Sequence, residues 1–95
     1  DVNPTIPEEF VLESAYPNPF NPSTTINFGV SESSDVNISI YNIQGQSVET
    51  LHSGFMDAGY YSEIWNASNY PSGIYVVRMS TSTGFNSTQK IVLIK

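Results

Sequence analysis

Few side chains in this sequence have the type and spacing that catalysis requires. His52 is the only histidine, and its neighbours Leu51 and Ser53 supply no carboxylate to orient its ring. A catalytic triad for acyl transfer needs a serine and a carboxylate on either side of one imidazole. With fourteen serines in the chain, such a set can be drawn by chance. The sequence therefore predicts a surface histidine at a strand end and no nucleophilic catalysis.

The carboxylates are equally scattered. Acid pairs that hydrolyse glycosides must face each other across one bond. Here Asp35, Glu49, Asp57 and Glu63 are isolated in the sequence, and Glu8-Glu9 lie in a proline-containing segment near its start. No run of oxygen ligands resembles a calcium-binding loop. We expect no enzymatic activity, no metal and no cofactor.

The charge balance excludes several classes of partner. Lysine and arginine together number three, against nine aspartates and glutamates, which gives a net charge of −6. Nucleic acids and anionic membrane surfaces both require a basic face. No apolar run approaches the roughly 20 residues of a membrane-spanning helix. The sequence predicts neither nucleic-acid binding nor membrane insertion.

Apolar residues recur at every second position through most of the chain, the pattern of strands with one buried face. Ile26, Phe28 and Val30 alternate with smaller or polar residues, and Gly45 supplies the positive φ that the clearest hairpin turn requires. No helical periodicity is present. An all-β, Ig-like antiparallel β-sandwich of about seven strands is predicted. Its strands are expected near residues 10–15, 24–30, 35–42, 46–52, 60–66, 73–81 and 86–95.

The two ends of the chain carry separate predictions. Residues 1–9, which contain two prolines and two glutamates, predict a linker from an upstream parent domain, and residues 10–95 the sandwich itself. The apolar run Ile91–Ile94 is expected to dock the last strand in a sheet. Its outer edge would then be open to pairing with another protein.

Aromatic residues suggest one alternative function. A tryptophan and several tyrosines could form a sugar-stacking platform, as in carbohydrate-binding modules, although small sandwiches commonly use such residues in the core. They are Tyr16, Tyr41, Tyr60, Tyr61, Trp65, Tyr70 and Tyr75.

The segment from Tyr16 to Pro22 combines three prolines with two aromatic residues. Each proline fixes φ and removes a backbone donor, so the segment must be a stiff connector. Tyr16 and Phe20 are expected to anchor it to the core. The whole motif reads Tyr16, Pro17, Asn18, Pro19, Phe20, Asn21, Pro22.

From about Phe10 to Lys95 the chain resembles the type A C-terminal sorting domain of the type IX secretion system. The resemblance rests on the proline motif, on the hairpin around Gly45, on Trp65-Asn66, on Tyr70–Tyr75 and on the terminal lysine-bounded strand. Asn42 stands where the family usually has Asp, and Tyr70-Pro71 where it has Leu and a small residue. The Ig-like domain of the flagellar hook-capping protein is similar too.

The resemblance implies a non-enzymatic sorting signal on a larger cargo protein. The expected partners are the outer-membrane type IX translocon, its sortase-like cysteine peptidase and an upstream cargo domain of the same chain; the domain itself is expected to be a monomer. The cargo would pass through the periplasm to the cell surface or the extracellular space. A structural or carbohydrate-binding accessory module of a secreted enzyme is the alternative.

Two stretches are predicted to contact the translocon, and the remaining motif residues are predicted to be structural. The contact residues are Gly73, Ile74, Tyr75, Lys90, Ile91, Val92, Leu93, Ile94 and Lys95. The structural residues are the seven of the proline motif together with Gly45 and Trp65.

Overall fold

The computed structural model describes residues 7–95 and contains seven strands in two antiparallel sheets. The first sheet has the order β1-β2-β5 and the second the order β4-β3-β6-β7. This arrangement confirms the predicted β-sandwich. The strands are β1 (Val11–Leu12), β2 (Ser23–Val30), β3 (Ser34–Asn42), β4 (Ser47–Met56), β5 (Gly59–Asn66), β6 (Gly73–Thr81) and β7 (Asn86–Leu93).

Three strands differ from their predicted bounds by more than one residue. β1 has only two residues, and the chain after it follows β2 through isolated bonds, such as those between Tyr16 and Thr25. β4 extends four residues beyond the predicted end at residue 52. β7 ends at Leu93, so Ile94 and Lys95 lie beyond the strand.

The core lies between the sheets and is filled by alternate strand residues. Ile26, Phe28 and Val30 of β2 are each at most 1% exposed, as the alternation predicted. β3, β6 and β7 contribute in the same way from the other sheet. Their fully buried side chains are Val36, Ile38, Ile40, Val77, Met79, Ile91 and Leu93.

The β3–β4 hairpin turns at Gly45, whose φ of 83° is readily accessible only to glycine. The Asn42 side-chain oxygen accepts hydrogen bonds from the backbone N–H groups of Gln44 (2.9 Å) and Gln46 (3.0 Å). An asparagine oxygen organises such a turn as an aspartate would. The turn therefore keeps its hydrogen-bond acceptor although position 42 has no carboxylate.

The predicted linker falls partly outside the described residues, which begin at residue 7. Pro7 is buried and packs over β2, since a Cβ atom added at Gly29 would lie 2.7 Å from Pro7 Cγ. The boundary between linker and domain at residue 10 stays a prediction.

Candidate recognition surface

The two stretches predicted to contact the translocon are neighbours in the sheet. The start of β6 pairs with the end of β7, and Ile74 lies opposite Val92. Alternation sends the side chains of each strand to opposite faces. Tyr75, Ile91 and Leu93 are therefore in the core, at most 5% exposed.

The remaining side chains of the predicted set reach the surface. Ile74 is 44% exposed and Ile94 52%, while Val92 is half-buried. Both lysines of the terminal segment are exposed. The side chains able to touch a partner are Ile74, Lys90, Val92, Ile94 and Lys95.

The outer edge of β7 is occupied by the proline motif. The Phe20 backbone N–H donates to the Val92 carbonyl (2.9 Å), and the Ile94 N–H donates to the Phe20 carbonyl (2.9 Å). Asn18 Nδ2 donates to the Lys90 carbonyl (3.1 Å), and Asn18 Oδ1 accepts from the Val92 N–H (3.0 Å). The expectation of an open edge is wrong from Lys90 to Ile94. A side-chain amide offers the same donor and acceptor as a peptide group, so Asn18 replaces part of a neighbouring strand.

Phe20 alone anchors the proline motif to the core through its side chain. It is 2% exposed and its ring packs against Trp65 at a centroid distance of 5.6 Å. Tyr16, expected to be a second anchor, is 78% exposed and is held to Thr25 only through backbone bonds. The Thr24 hydroxyl fixes the start of the motif by donating to the Pro17 carbonyl (2.7 Å).

Lys95 ties the end of the chain to the loop between β5 and β6. Its Nζ donates to the carbonyl oxygens of Ser68 (2.7 Å) and Tyr70 (3.0 Å), and its backbone N–H donates to Ser72 Oγ (3.0 Å). The terminal lysine therefore stabilises local structure as well as presenting a charge.

Trp65 is the centre of a buried aromatic cluster. Its ring packs against Tyr70 (5.5 Å) and Tyr75 (5.3 Å), and its Nε1 donates to Glu49 Oε1 (3.0 Å). Tyr75, buried, donates its hydroxyl to the Pro71 carbonyl (2.7 Å). Because Trp65 is fully buried, it cannot stack on a sugar.

The exposed tyrosines do not form a shared platform in the part of the chain that the structure describes. Tyr16 pairs with Thr25, whereas Tyr60 pairs with Gly29, four residues further along β2, and the half-buried Tyr41 lies on the other sheet. The geometry gives no support to the carbohydrate-binding alternative.

Tyr61 repeats the arrangement of Tyr75, in which a tyrosine hydroxyl bonds to the backbone four residues earlier, an arrangement called a tyrosine corner. The Tyr61 hydroxyl donates to the Asp57 carbonyl four residues earlier (2.6 Å), as the Tyr75 hydroxyl does to Pro71. Both tyrosines stand two residues after a glycine that begins a strand. That repeated spacing is visible in the sequence and could have predicted the second corner.

His52 lies within β4 rather than at a strand end, because β4 continues to Met56. It is half-buried, and its Nε2 is 3.4 Å from the Gly54 carbonyl oxygen. Between residues 7 and 95 no three His, Asp or Glu side chains group as metal ligands would. No helix long and apolar enough to cross a membrane occurs among those residues.

Tyr70 gives the cluster a dependence on pH. Burial beside Trp65 raises the pKa of its hydroxyl, which donates to the Val48 carbonyl (2.9 Å) and to Glu49 Oε1 (3.2 Å). The Glu49 carboxylate raises this pKa further, because it accepts from the hydroxyl and repels a phenolate. Because the pKa of Tyr70 is higher in the folded state than in the unfolded chain, its contribution to the free energy of unfolding is complete below the unfolded-state pKa, about 10. This contribution is lost as pH rises through the folded-state pKa.

We therefore expect the free energy of unfolding to fall above about pH 10, and to fall less in Tyr70→Phe. Urea denaturation across this range, followed by tryptophan fluorescence, measures the difference. Tyr60→Phe is the control, since Tyr60 is exposed on the other sheet. Equal losses in wild type and Tyr70→Phe would contradict the assignment.

The fold and the surface together define a small Ig-like sandwich module in which a proline-rich segment and the last strand form one edge. The family model named secretion system C-terminal sorting domain matches residues 14–95 of the sequence, so the chain belongs to that family. The family is the C-terminal sorting signal of the type IX secretion system, as the sequence resemblance predicted, and it is not catalytic. It implies interaction with the secretion system and export to the cell surface or the extracellular space.

Two solved structures from Porphyromonas gingivalis share the fold. Dimeric latent PorU superposes with a TM-score of 0.67 at 19% identity, over 90% of this chain and 9% of PorU. PorZ, a surface component of the type IX secretion system, superposes with a TM-score of 0.59 at 20% identity, over 86% of this chain and 11% of PorZ. The chain thus spans about a tenth of either protein. No curated protein sequence matches it.

Proposed function

We propose that this domain is a folded sorting signal, which directs the export of an upstream cargo domain of the same chain from the periplasm through the outer-membrane type IX translocon. The family match across β2 to β7 is the observation that carries this proposal. The domain performs no chemistry itself and acts as a monomer. A sortase-like cysteine peptidase cleaves the cargo free within residues 1–9.

The translocon recognises a face of the sandwich rather than a free strand edge. The Asn18 and Phe20 bonds already use the outward backbone groups of β7 between the Lys90 carbonyl and the Ile94 N–H. Strand addition at that point would have to break these bonds. Exposed side chains at the same end of the sheet, Ile74 and Ile94 among them, can be contacted without any rearrangement.

The experiment is an export assay in a host with a working type IX system. Residues 1–95 are fused to a periplasmic fluorescent protein, and surface fluorescence is measured for wild type and for Ile74→Ser/Ile94→Ser. We expect the double variant to lose export about tenfold, because roughly 1.4 kcal/mol of lost binding corresponds to that factor. The mass of the released reporter locates the cleavage.

The matched control is Tyr60→Ser/Ile64→Ser, which removes two similarly exposed apolar side chains from the other sheet. It should be exported like wild type. Retention of the wild-type fusion in the periplasm would overturn the sorting function in this host. Normal export of Ile74→Ser/Ile94→Ser would overturn the proposed surface and leave the function standing.

A further inference from the structure

Two of the three cations of this acidic chain lie together on the outer face of the four-stranded sheet. Arg78 of β6 lies opposite Thr88 of β7, and Lys90 lies opposite Val76. All four side chains project outward, as the alternating burial of β6 and β7 shows. Arg78 and Lys90 are therefore diagonal cross-strand neighbours, with Cα atoms about 7–8 Å apart.

Among residues 7–95, the strand register places no carboxylate beside this pair on the same face. Among the described residues, the strand register places one acidic side chain, Asp35, on this outer face. Asp35 lies next to Ser82 and is two outward-facing positions along β3 from Ser39, which lies opposite Arg78. Arg78 Nε donates instead to a neutral side chain, Asn86 Oδ1 (3.2 Å). Like charges directly opposite each other on neighbouring strands are destabilising; Arg78 and Lys90 are diagonal neighbours, and no acidic side chain of residues 7–95 lies between them in the register.

A mainly apolar groove adjoins Arg78, and its lining residue Val76 lies opposite Lys90. It has a volume of about 360 Å³, and Tyr41, Asn42, Val76 and Arg78 contribute to its wall. Ile43, at the hairpin turn, also lines the groove and is 76% exposed. Ile74 extends the apolar surface from the groove toward the end of the sheet.

We propose that this groove, with Arg78 in its wall and Lys90 on the neighbouring strand, binds an acidic protein segment, which places an apolar side chain in the groove and carboxylates against the two cations. Arginine pairs with carboxylates through two parallel hydrogen bonds, and lysine offers a point charge beside it. The inference rests on the proposed function, in that the segment belongs to the secretion machinery. It extends the recognition surface to Val76 and Arg78, which the sequence analysis did not select.

Charge complementarity favours a protein over a polyanion. A nucleic acid or an anionic membrane would meet the net charge of −6 with only two neighbouring cations to offset it. A protein segment needs only one or two carboxylates there, and it fills the groove with a side chain.

The first test is a binding titration that does not depend on export. The isotope-labelled chain of residues 1–95 is titrated with a short, otherwise neutral peptide that has one glutamate on each side of a central phenylalanine, and binding is followed by amide chemical shifts. We expect shifts at Val76, Arg78 and Lys90 that disappear at about 1 M salt, where the screening length is roughly 3 Å. A peptide with lysines in place of glutamates should cause none.

The second test is export of the same reporter fusion carrying Arg78→Gln/Lys90→Gln. We expect surface fluorescence to fall about tenfold, with recovery in Arg78→Lys/Lys90→Arg. The control Tyr60→Glu/Ile64→Glu changes the net charge equally on the other sheet and should be exported. Circular dichroism and urea denaturation establish that each variant is folded.

The outcomes separate this inference from the sorting function. Retention of the wild-type fusion, with peptide binding intact, would overturn the function in that host and support the acidic ligand. Normal export of Arg78→Gln/Lys90→Gln without peptide binding would overturn the ligand and leave the function intact. A wild-type dimer that dissociates in this variant would show that a second copy occupies the groove, and would also overturn the inference.

Discussion

A chain that ends at Gln89 will not fold. Truncation removes Ile91 and Leu93, which are at most 1% exposed, and with them the end of β7. Replacing one such buried side chain by alanine costs about 2–5 kcal/mol, and whole domains are stable by only about 5–15 kcal/mol. The loss also frees the Asn18 and Phe20 groups that bond to β7. Far-ultraviolet circular dichroism and urea denaturation of residues 1–89 would measure the effect.

The control for the truncation is Ile94→Ser in the full 95-residue chain. Ile94 is half exposed, so its substitution should change the free energy of unfolding by less than about 0.5 kcal/mol. Cooperative unfolding of residues 1–89 at near wild-type urea concentrations would contradict the role of β7 in the core. If truncation does unfold the domain, a truncated sorting signal that fails to export says nothing about recognition, whereas surface substitutions do.

Trp65→Ala will destabilise the domain by about 3–5 kcal/mol. Trp65 is fully buried and packs against aromatic rings from the proline motif, from the β5–β6 loop and from β6. Alanine would leave a cavity between the sheets and would remove one of the two hydrogen bonds that Glu49 Oε1 accepts. Urea denaturation monitored by circular dichroism avoids dependence on the tryptophan itself.

Trp65→Phe separates packing from hydrogen bonding. It keeps an aromatic ring in the core and removes the donor to Glu49, for which a loss of about 1–3 kcal/mol is expected. Tyr60→Ala, at an exposed aromatic on the same strand, should change stability by less than about 0.5 kcal/mol. Equal losses for Trp65→Ala and Tyr60→Ala would show that the cluster does not support the core.

The sequence predicted the strands well because their burial follows a local rule. Alternation along β2 and β3 placed Ile26, Phe28 and Ile38 in the core, and the inward packing of Tyr75 follows from its position in β6. The sequence also predicted the family correctly, since the motifs of the family occur in order along the chain.

The contacts of the recognition surface were less predictable because they join distant residues. Asn18 is 72 and 74 residues from the two β7 groups it binds, and no local pattern indicates that a side-chain amide will close a sheet edge. The diagonal placement of Arg78 and Lys90 depends on the β6–β7 register, which the loop between the strands sets. Outward alternation alone would have placed both residues on one face, but not side by side.

The bond between the proline motif and β7 has a consequence for the timing of folding. Residues near the start of the sandwich find their hydrogen-bond partners only after more than 70 further residues have been synthesised. Contacts so far apart in the chain impose a high contact order, and therefore slow, late closure of the structure. The recognition surface would thus form only on a chain translated through β7, and products of interrupted translation would not be recognised for export.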